Sequence, residues 1–229
     1  MPGSLTKREK TNHGSLRAPF FCPVSWSFQK YFLSLQAEMN KNLYIISGCN
    51  GAGKTTASYT VLPEILDCKE FVNADEIARG LSPFNPESVA IEAGRLMLQR
   101  IEDLLERGET FSIETTLATK SYINLVRRAQ AKGYTVRLLF FWLNSPELAL
   151  LRIAERVAKG GHNIPEPIAR RRYVAGINNL FNLFMNEVDY WIIYDNSEYP
   201  AIQIATGGKN DKTTVIIESK FKTIENYVK

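Results

Sequence analysis

The sequence predicts a three-layer α/β fold in which parallel strands alternate with helices. Short apolar runs, of which residues 43–47 and 136–143 are the clearest, have the composition of strands buried on both faces. Stretches of helical length separate these runs, and this alternation implies β-α-β crossovers around a parallel sheet. The 229 residues, 45% of them apolar and 23% charged, are enough for one domain with a full hydrophobic core.

Each predicted element has its own local signal. The predicted strands comprise residues 43–47, 71–75, 110–113, 136–143 and 190–194. A helix over residues 54–66 follows the first strand. The triplets Asn85-Pro86-Glu87 and Ser145-Pro146-Glu147 each combine an N-cap, an early proline and an acid, and predict two further helix starts. A helix over residues 122–132 is stopped by Gly133, and Gly108 ends the helix before it. The β-branched residues 213–217 predict an added edge strand or a hairpin.

Residues 1–38 differ from the remainder of the chain. Prolines and glycines interrupt this segment throughout, so no continuous helix or strand is expected in it. We predict a poorly ordered extension without a catalytic role, followed by a single domain over residues 39–229. Two alternatives stay open, an organellar presequence and a native start of translation at Met39.

Composition and charge exclude several classes of protein. No uninterrupted apolar stretch reaches 18 residues, so the sequence predicts no membrane span. The three cysteines are scattered without metal-ligand spacing, which indicates reduced thiols and a cytoplasmic location. The formal charge of +4 divides into +3 for residues 1–38 and +1 for the remainder. This near-neutral body gives no support for nucleic-acid binding.

The strongest chemical signal is a phosphate-binding loop between the first strand and the first helix. Residues 48–55 read GCNGAGKT and match the pattern GxxxxGK[ST]. The glycines allow backbone N–H groups to surround a phosphate at the N-terminus of the helix. Lys54 is expected to contact the β- and γ-phosphates of ATP, and the Thr55 hydroxyl to ligate Mg²⁺. The predicted nucleotide-binding residues are Gly48, Asn50, Gly51, Ala52, Gly53, Lys54, Thr55 and Thr56.

Two carboxylates follow the next two predicted strands. Asp75 ends the segment FVNAD and Glu114 ends TFSIE. The carboxyl ends of parallel strands lie beside the phosphate loop, so a carboxylate there can accept the proton of an attacking hydroxyl. The second carboxylate can orient the acceptor or hold Mg²⁺ through water. The alternative is that each carboxylate caps the helix after it, as Asp75 could do. The base-reading and Asp-Glu strand motifs expected of switch GTPases and motor ATPases are absent from the sequence, which favours a kinase.

A basic cluster follows in the second half of the chain. Arg152 and Arg156 are four residues apart, and three consecutive arginines stand at 170–172. Guanidinium groups can close over a transferring phosphate and offset its charge. The segment Lys159-Gly160-Gly161-His162 predicts a hinge between two arginine-bearing helices that would act as a lid. The alternative is a solvated helix face on which Arg152 pairs with Glu155.

These motifs and their order resemble the zeta toxin family of P-loop kinases. The similar segments are GCNGAGKTT, FVNADEIARGLSPFNPE, SIETTLA, RVAKGGHNIPEPIARRRY and YDNS, within residues 41–197. The resemblance implies a parallel sheet ordered 2-3-1-4-5 and an ATP:UDP-N-acetylglucosamine 3′-phosphotransferase that uses Mg²⁺. It also implies a separately encoded antitoxin partner.

The resemblance assigns roles to single residues as well. It implies that Lys54 is the phosphate-loop lysine, that Asp75 is the catalytic base, and that Glu114 binds the substrate together with Thr115. Two phosphate-clamping arginines are implied at Arg156 and at Arg171 or Arg172; we predict Arg171 as catalytic and Arg172 as substrate-binding. Asp195 and Asn196 fall where such kinases hold the adenine. The segment from Glu76 to Phe84 departs from the family pattern, so the acceptor side of the site is expected to differ.

The predicted function is therefore transfer of the γ-phosphate of ATP to a hydroxyl of a small molecule. UDP-N-acetylglucosamine is the acceptor that the resemblance implies. Two other functions stay open at this stage. The first is a non-catalytic nucleotide-binding interaction protein, in which the carboxylates are helix caps. The second is a polynucleotide 5′-kinase, which the charge distribution disfavours.

Overall fold

The computed structural model of the chain describes residues 41–161 and 163–229, with the side chains of residues 60, 61 and 63–65 excepted. The predicted extension of residues 1–38 and the predicted lid-turn residue His162 lie outside the described residues. Within the described part of the chain, no helix has both the length and the apolar character that a membrane crossing requires.

A seven-stranded sheet forms the middle layer of the fold. Its strands are β1 (Asn42–Gly48), β2 (Glu70–Val72), β3 (Phe111–Thr115), β4 (Thr135–Trp142), β5 (Tyr190–Asp195), β6 (Ile202–Gly208) and β7 (Asp211–Val215). The order across the sheet is β2-β3-β1-β4-β5-β6-β7, and the first five strands are parallel. The predicted order 2-3-1-4-5 is confirmed. The chain departs to opposite sides of β1, which makes the carboxyl end of this strand a topological switch point where ligands bind.

Helices cover the two faces of the sheet. They are α1 (Lys54–Ile65), α2 (Ala74–Leu81), α3 (Ala90–Arg107), α4 (Tyr122–Ala131), α5 (Pro146–Ala158), α6 (Glu166–Asn182) and α7 (Glu218–Glu225). The predicted stop signals act as expected, because Gly108 follows α3 in the left-handed conformation with φ of 69°. Ser145 caps α5 by accepting a hydrogen bond from the Leu148 N–H at 3.2 Å.

Several predicted boundaries differ from the structure, and two of these differences concern the start of a helix. The triplet that begins with Asn85 starts a 3₁₀ turn at Pro86–Val89, and the α-helix begins only at Ala90. The second strand is shorter than predicted and ends at Val72, so Asp75 lies in the first turn of α2. The reason is local: Asn73 accepts a hydrogen bond from the Asp75 N–H at 2.8 Å and starts the helix early.

The central strands are buried on both faces, as their composition predicts. Six of the seven residues of β1 and seven of the eight residues of β4 are buried. Burying each large apolar side chain of this kind contributes roughly 1.5–3 kcal/mol, so the sheet rather than helix propensity supplies most of the stability. This buried layer fixes the positions of the strand ends, and the side chains of the site lie next to those ends.

The segment after Pro200 forms a hairpin, one of the two forms that the sequence predicted. Strands β6 and β7 pair antiparallel with each other, and β6 pairs antiparallel with β5. Helix α7 then packs Phe221 and Ile224 into the core. These two C-terminal side chains therefore pack in the same hydrophobic core as the central strands.

Candidate active site

A cavity of about 480 Å³ opens at the carboxyl ends of β1 and β3, a volume typical of small-molecule sites. Five basic and three acidic side chains line it, so its charge suits a polyanion. The predicted site residues that line this cavity are Asn50, Gly51, Gly53, Lys54, Thr55, Thr56, Asp75, Glu114, Thr115, Arg156 and Arg172. Gly48 and Ala52 belong to the phosphate loop without lining the cavity.

The phosphate loop has the backbone shape that its glycines predict. Gly51 and Gly53 have φ of 80° and 81°, a region in which side chains other than glycine are strained. Gly48 is required for space as well, because a Cβ there would lie 2.2 Å from the Phe141 carbonyl oxygen. The loop is thereby pressed against the end of β4, with α1 beginning at Lys54.

Lys54 is held within the site. Its ammonium donates a hydrogen bond to the Cys49 carbonyl at 3.0 Å and lies 3.7 Å from Glu114 Oε1. Only 7% of the Lys54 side chain is exposed. The ammonium is thereby held at one place in the cavity, where phosphate oxygens would compete with Glu114 for it.

Glu114 is the most connected acid of the cavity. Its Oε2 accepts hydrogen bonds from the Thr55 hydroxyl at 2.8 Å and from Asn73 Nδ2 at 2.9 Å. Burial raises the pKa of Glu114, although the Lys54 ammonium and the Thr55 hydroxyl partly counteract that effect. The sequence reasoning missed Asn73, which also caps α2; its position between a strand end and a helix start was the available signal.

Asp75 is an exposed carboxylate at the rim of the cavity. The alternative role as the cap of α2 is wrong, because Asn73 holds that position and Asp75 follows two residues later. The carboxylate of Asp75 is therefore left available toward the cavity. An exposed acid near bound substrate can accept a proton.

The arginines of α5 and α6 lie in three places. Arg152, Arg156 and Arg172 line the cavity, and Arg172 Nη1 lies 3.5 Å from Asn50 Oδ1. Arg171 does not reach this cavity; it lines a separate depression that also contains Lys120 and Asn178. Arg170 forms ion pairs with Glu147 and Glu166. Of the two adjacent arginines expected near the phosphate, only Arg172 therefore lines the cavity, and the structure does not bring Arg171, predicted as catalytic, into it.

Arg156 has an unusual electrostatic environment. Burial lowers its pKa, the carboxylates of Asp75 and Glu114 raise it, and the nearby Arg79 lowers it further. The net direction is downward, yet an arginine keeps its charge over the whole physiological range. Arg156 is consequently a partly desolvated cation that faces both acids of the site.

Arg152 lines the cavity and Asn196 contacts the phosphate loop behind it, and both make contacts that the sequence did not predict. Arg152 does not pair with Glu155; its guanidinium donates to the carbonyl oxygens of Asn196 and Ser197, both at 2.8 Å. Asn196 Nδ2 donates to the Ala52 carbonyl of the phosphate loop at 2.7 Å.

Cys49, in the phosphate loop, is buried. Burial raises the pKa of its thiol to about 11, so the thiol is unreactive.

The site also has the oxygen donors that a magnesium ion requires. The Thr55 hydroxyl and the Glu114 carboxylate adjoin each other within the cavity. In the described part of the chain no group of three or more His, Cys, Asp and Glu side chains is placed to hold a metal. Mg²⁺ in phosphoryl-transfer sites uses one or two protein oxygens with phosphates and water, so this donor set fits it.

The chain is similar to several known proteins. A family model described as zeta toxin matches residues 29–198. A Haemophilus influenzae protein described as uncharacterized is 31% identical over 135 residues, which are 59% of this chain and 94% of that protein.

Two solved complexes share the fold. A chain of the AvrRxo1-ORF1:AvrRxo1-ORF2 complex with sulphate ions has a TM-score of 0.67 at 17% identity, covering 86% of this chain and 66% of its own length. The same complex with ATP gives a TM-score of 0.65 at 16% identity, with the same coverage. A chain of the PezAT chromosomal toxin–antitoxin system of Streptococcus pneumoniae has a TM-score of 0.60 at 17% identity, covering 91% of this chain and 90% of that one.

Proposed function

The chain belongs to the zeta toxin family, and on this premise we propose that it is an ATP-dependent phosphotransferase acting on a hydroxyl of a small molecule. The observation that carries the proposal is the meeting of a phosphate loop, an exposed carboxylate and four arginines around one cavity. A structure of the AvrRxo1-ORF1:-ORF2 complex was solved with ATP, which supports ATP as the donor.

The phosphate loop binds the donor in this proposal. Backbone N–H groups of residues 50–54 surround the β-phosphate at the N-terminus of α1, where the helix dipole favours negative charge. Lys54 exchanges its contact with Glu114 for the β- and γ-phosphate oxygens. Thr55 and Glu114 would hold Mg²⁺, which supplies additional positive charge beside the phosphates when it is bound.

Asp75 is the proposed general base. Its carboxylate accepts the proton of the acceptor hydroxyl while the hydroxyl oxygen forms a bond to the γ-phosphorus. The bond from that phosphorus to the bridging oxygen breaks, and ADP leaves with the electron pair. Arg156 and Arg172 neutralise the charge on the transferring group, because preorganised cations in a partly desolvated site need no rearrangement at that moment.

Within this class we propose the 3′-hydroxyl of UDP-N-acetylglucosamine as the acceptor. Membership of the family supports this choice, and Glu114 with Thr115 would bind the sugar nucleotide. The acceptor side of the cavity is formed by α2, where Glu76 and Arg79 form an ion pair at 2.8 Å in place of the family pattern. We further propose a cytoplasmic location and a separately encoded antitoxin as partner, the latter supported by the toxin–antitoxin system of the structural neighbour.

Phosphorus NMR tests the reaction and the acceptor together. The protein is incubated with ATP, Mg²⁺ and a panel of UDP-sugars, and a new phosphomonoester resonance on UDP-N-acetylglucosamine is expected. Conversion of ATP to ADP and free phosphate alone would show that the protein cleaves ATP but does not use UDP-N-acetylglucosamine as the acceptor. Unchanged ATP in all samples would contradict the proposed activity and favour a binding protein.

Asp75→Asn tests the proposed base in the same assay. We expect transfer to fall by a factor of about 100 or more while ATP binding is retained, because only proton acceptance is removed. Asp67→Asn is the matched control, since Asp67 is an exposed aspartate outside the cavity. Undiminished transfer by Asp75→Asn would remove Asp75 as the base.

A further inference from the structure

Asn196 contacts the phosphate loop from the end of β5. Its Nδ2 donates to the Ala52 carbonyl oxygen at 2.7 Å. The same nitrogen also lies close to Gly53, since a Cβ added to Gly53 would be 2.7 Å from it. The peptide between residues 52 and 53 is therefore packed directly against the Asn196 amide.

This hydrogen bond has a consequence for the inner face of the loop. The Ala52 carbonyl and the Gly53 N–H belong to one planar trans peptide, so the two groups point in opposite directions. Holding the carbonyl toward Asn196 turns the Gly53 N–H away from it. Gly53 lines the cavity, and its N–H is one of the donors that a phosphate-binding loop offers to its ligand.

The segment of residues 195–197 is itself held from several sides. The Asn196 N–H donates to the Trp142 carbonyl at 2.9 Å, and the Asn144 N–H donates to Ser197 Oγ at 2.8 Å. Arg152 binds two carbonyls of the segment. A side chain on a segment restrained in this way is a rigid support.

The last restraint comes from the C-terminal part of the chain. Lys220 on α7 forms an ion pair with Asp195, whose side chain is only 3% exposed. The other oxygen of Asp195 accepts a hydrogen bond from the Ser197 N–H at 2.8 Å. Lys220 lies beyond residue 198, where the match to the family model ends. A residue outside the matched region thus reaches the segment that supports the phosphate loop.

On the premise of the proposed ATP site, we propose that Asn196 is a positioning residue for the phosphate loop and that Lys220 supports it from α7. The ligand class that depends on this support is the polyphosphate group of the nucleotide. Asn196 acts through the peptide of residues 52 and 53, whereas the adenine contact expected from the sequence would act on the base.

Asn196→Ala separates these two roles by calorimetry with two probes. Inorganic tripolyphosphate reports on the loop, and adenosine reports on the base site. We expect tripolyphosphate and ATP to bind about tenfold more weakly, since one hydrogen bond that orients a donor is lost, with adenosine binding unchanged. Asn182→Ala is the matched control; it also removes an amide donor to a carbonyl, that of Lys229, outside the cavity.

Lys220→Met tests the support from α7. The variant keeps the aliphatic stem and removes the charge, and we expect tripolyphosphate to bind about threefold more weakly. Lys222→Met on the same helix is the control, because Lys222 pairs only locally with Glu218 at 3.5 Å. Tripolyphosphate affinity in Lys220→Met equal to that of the control would overturn the role of Lys220.

The outcomes distinguish this proposal from the proposed function. Unchanged tripolyphosphate affinity in Asn196→Ala, with phosphate transfer intact in the wild type, overturns the positioning role alone. Weaker adenosine binding in that variant also overturns it, in favour of the base contact. If the wild type transfers no phosphate but Asn196→Ala still weakens tripolyphosphate binding, the proposed enzymatic activity is wrong and the positioning role of Asn196 stands. Absence of tripolyphosphate binding by the wild type rejects both.

Discussion

At the scale of single residues, the three consecutive arginines show how a helix separates neighbours. Successive residues of an α-helix point about 100° apart, so side chains at 170, 171 and 172 cannot share one site. Arg170 pairs with two glutamates, Arg171 lies at a separate depression, and only Arg172 lines the cavity. The choice between Arg171 and Arg172 therefore depends on how α6 is rotated against the sheet.

The two adjacent arginines provide a matched pair of variants. We expect Arg172→Ala to reduce the rate of phosphate transfer by about a hundredfold or more, because it removes a cation from the transferring phosphate. Arg171→Ala removes the same charge from the same turn of helix and is expected to stay within about twofold of the wild type. The initial rate of ADP formation with saturating acceptor measures both. A larger loss in Arg171→Ala than in Arg172→Ala would contradict the placement.

At the scale of elements, Asp189 joins parts of the fold that are distant in sequence. It precedes β5, and its carboxylate accepts from the Val136 N–H of β4 at 2.8 Å and from Gln130 of α4 at 3.1 Å. It also pairs with Lys209, in the turn between β6 and β7, at 2.6 Å. One carboxylate thus fastens a helix, a strand and the hairpin together.

This carboxylate makes stability depend on pH in a defined direction. Burial alone raises the pKa of Asp189, but the hydrogen bonds from Lys209, Val136 and Gln130 outweigh it and the net pKa is lowered. A lowered pKa means that the folded state stabilises the ionised carboxylate of Asp189 more than the unfolded state does. The stabilisation is therefore present above the ordinary aspartate pKa of about 4 and is lost as the pH falls through the folded-state value.

Asp189→Asn tests this connection by urea unfolding at two pH values. At pH 7 we expect the free energy of unfolding to fall by about 1–3 kcal/mol, because charged hydrogen bonds are replaced by weaker ones. In strong acid, where the wild-type carboxyl is protonated too, the difference is expected to shrink. Asp103→Asn is the control, since Asp103 is exposed on α3. A difference independent of pH would contradict the electrostatic origin.

At the scale of the whole molecule, the charges around the cavity and the buried sheet have opposite effects on stability. Five cations and three acids are gathered around one cavity, and like charges brought together destabilise the compact state. The buried strands of the sheet supply the stability that offsets this cost. A polyanion bound in the cavity would neutralise the excess positive charge and stabilise the whole domain.

Thermal unfolding in the presence of ATP measures that stabilisation. With Mg²⁺ present and ATP at about 100 times its dissociation constant, binding contributes about 2.7 kcal/mol. This corresponds to an increase in Tm of roughly 5–10 °C for a domain of this size. Lys54→Ala is expected to lose the increase, whereas Lys69→Ala, a change at an exposed lysine outside the cavity, keeps it. Retention of the full shift in Lys54→Ala would count against the phosphate loop as the nucleotide site.

The order of the five parallel strands is a long-range property and was predicted only through the family resemblance. The fold class and the position of the phosphate loop followed from the sequence itself, because strand composition, helix caps and the glycine spacing of residues 48–55 are all local. The same locality explains the errors at boundaries. Asn73 and Asp75 both follow a strand, and their competition for the helix cap is decided by backbone geometry that composition does not reveal.

Which side chains meet at and behind the cavity depends on the packing of the whole fold. Asn73, Arg152 and Asn196 lie in segments that the sequence singled out, but their roles arise from contacts with groups 41 to 144 positions away along the chain. Arg171 and Arg172 are equivalent as sequence and differ by the rotation of one helix. Lys220 reaches Asp195 because the hairpin returns α7 to the end of β5. Distances between segments that are remote in sequence are set by packing, and packing is a property of the whole molecule.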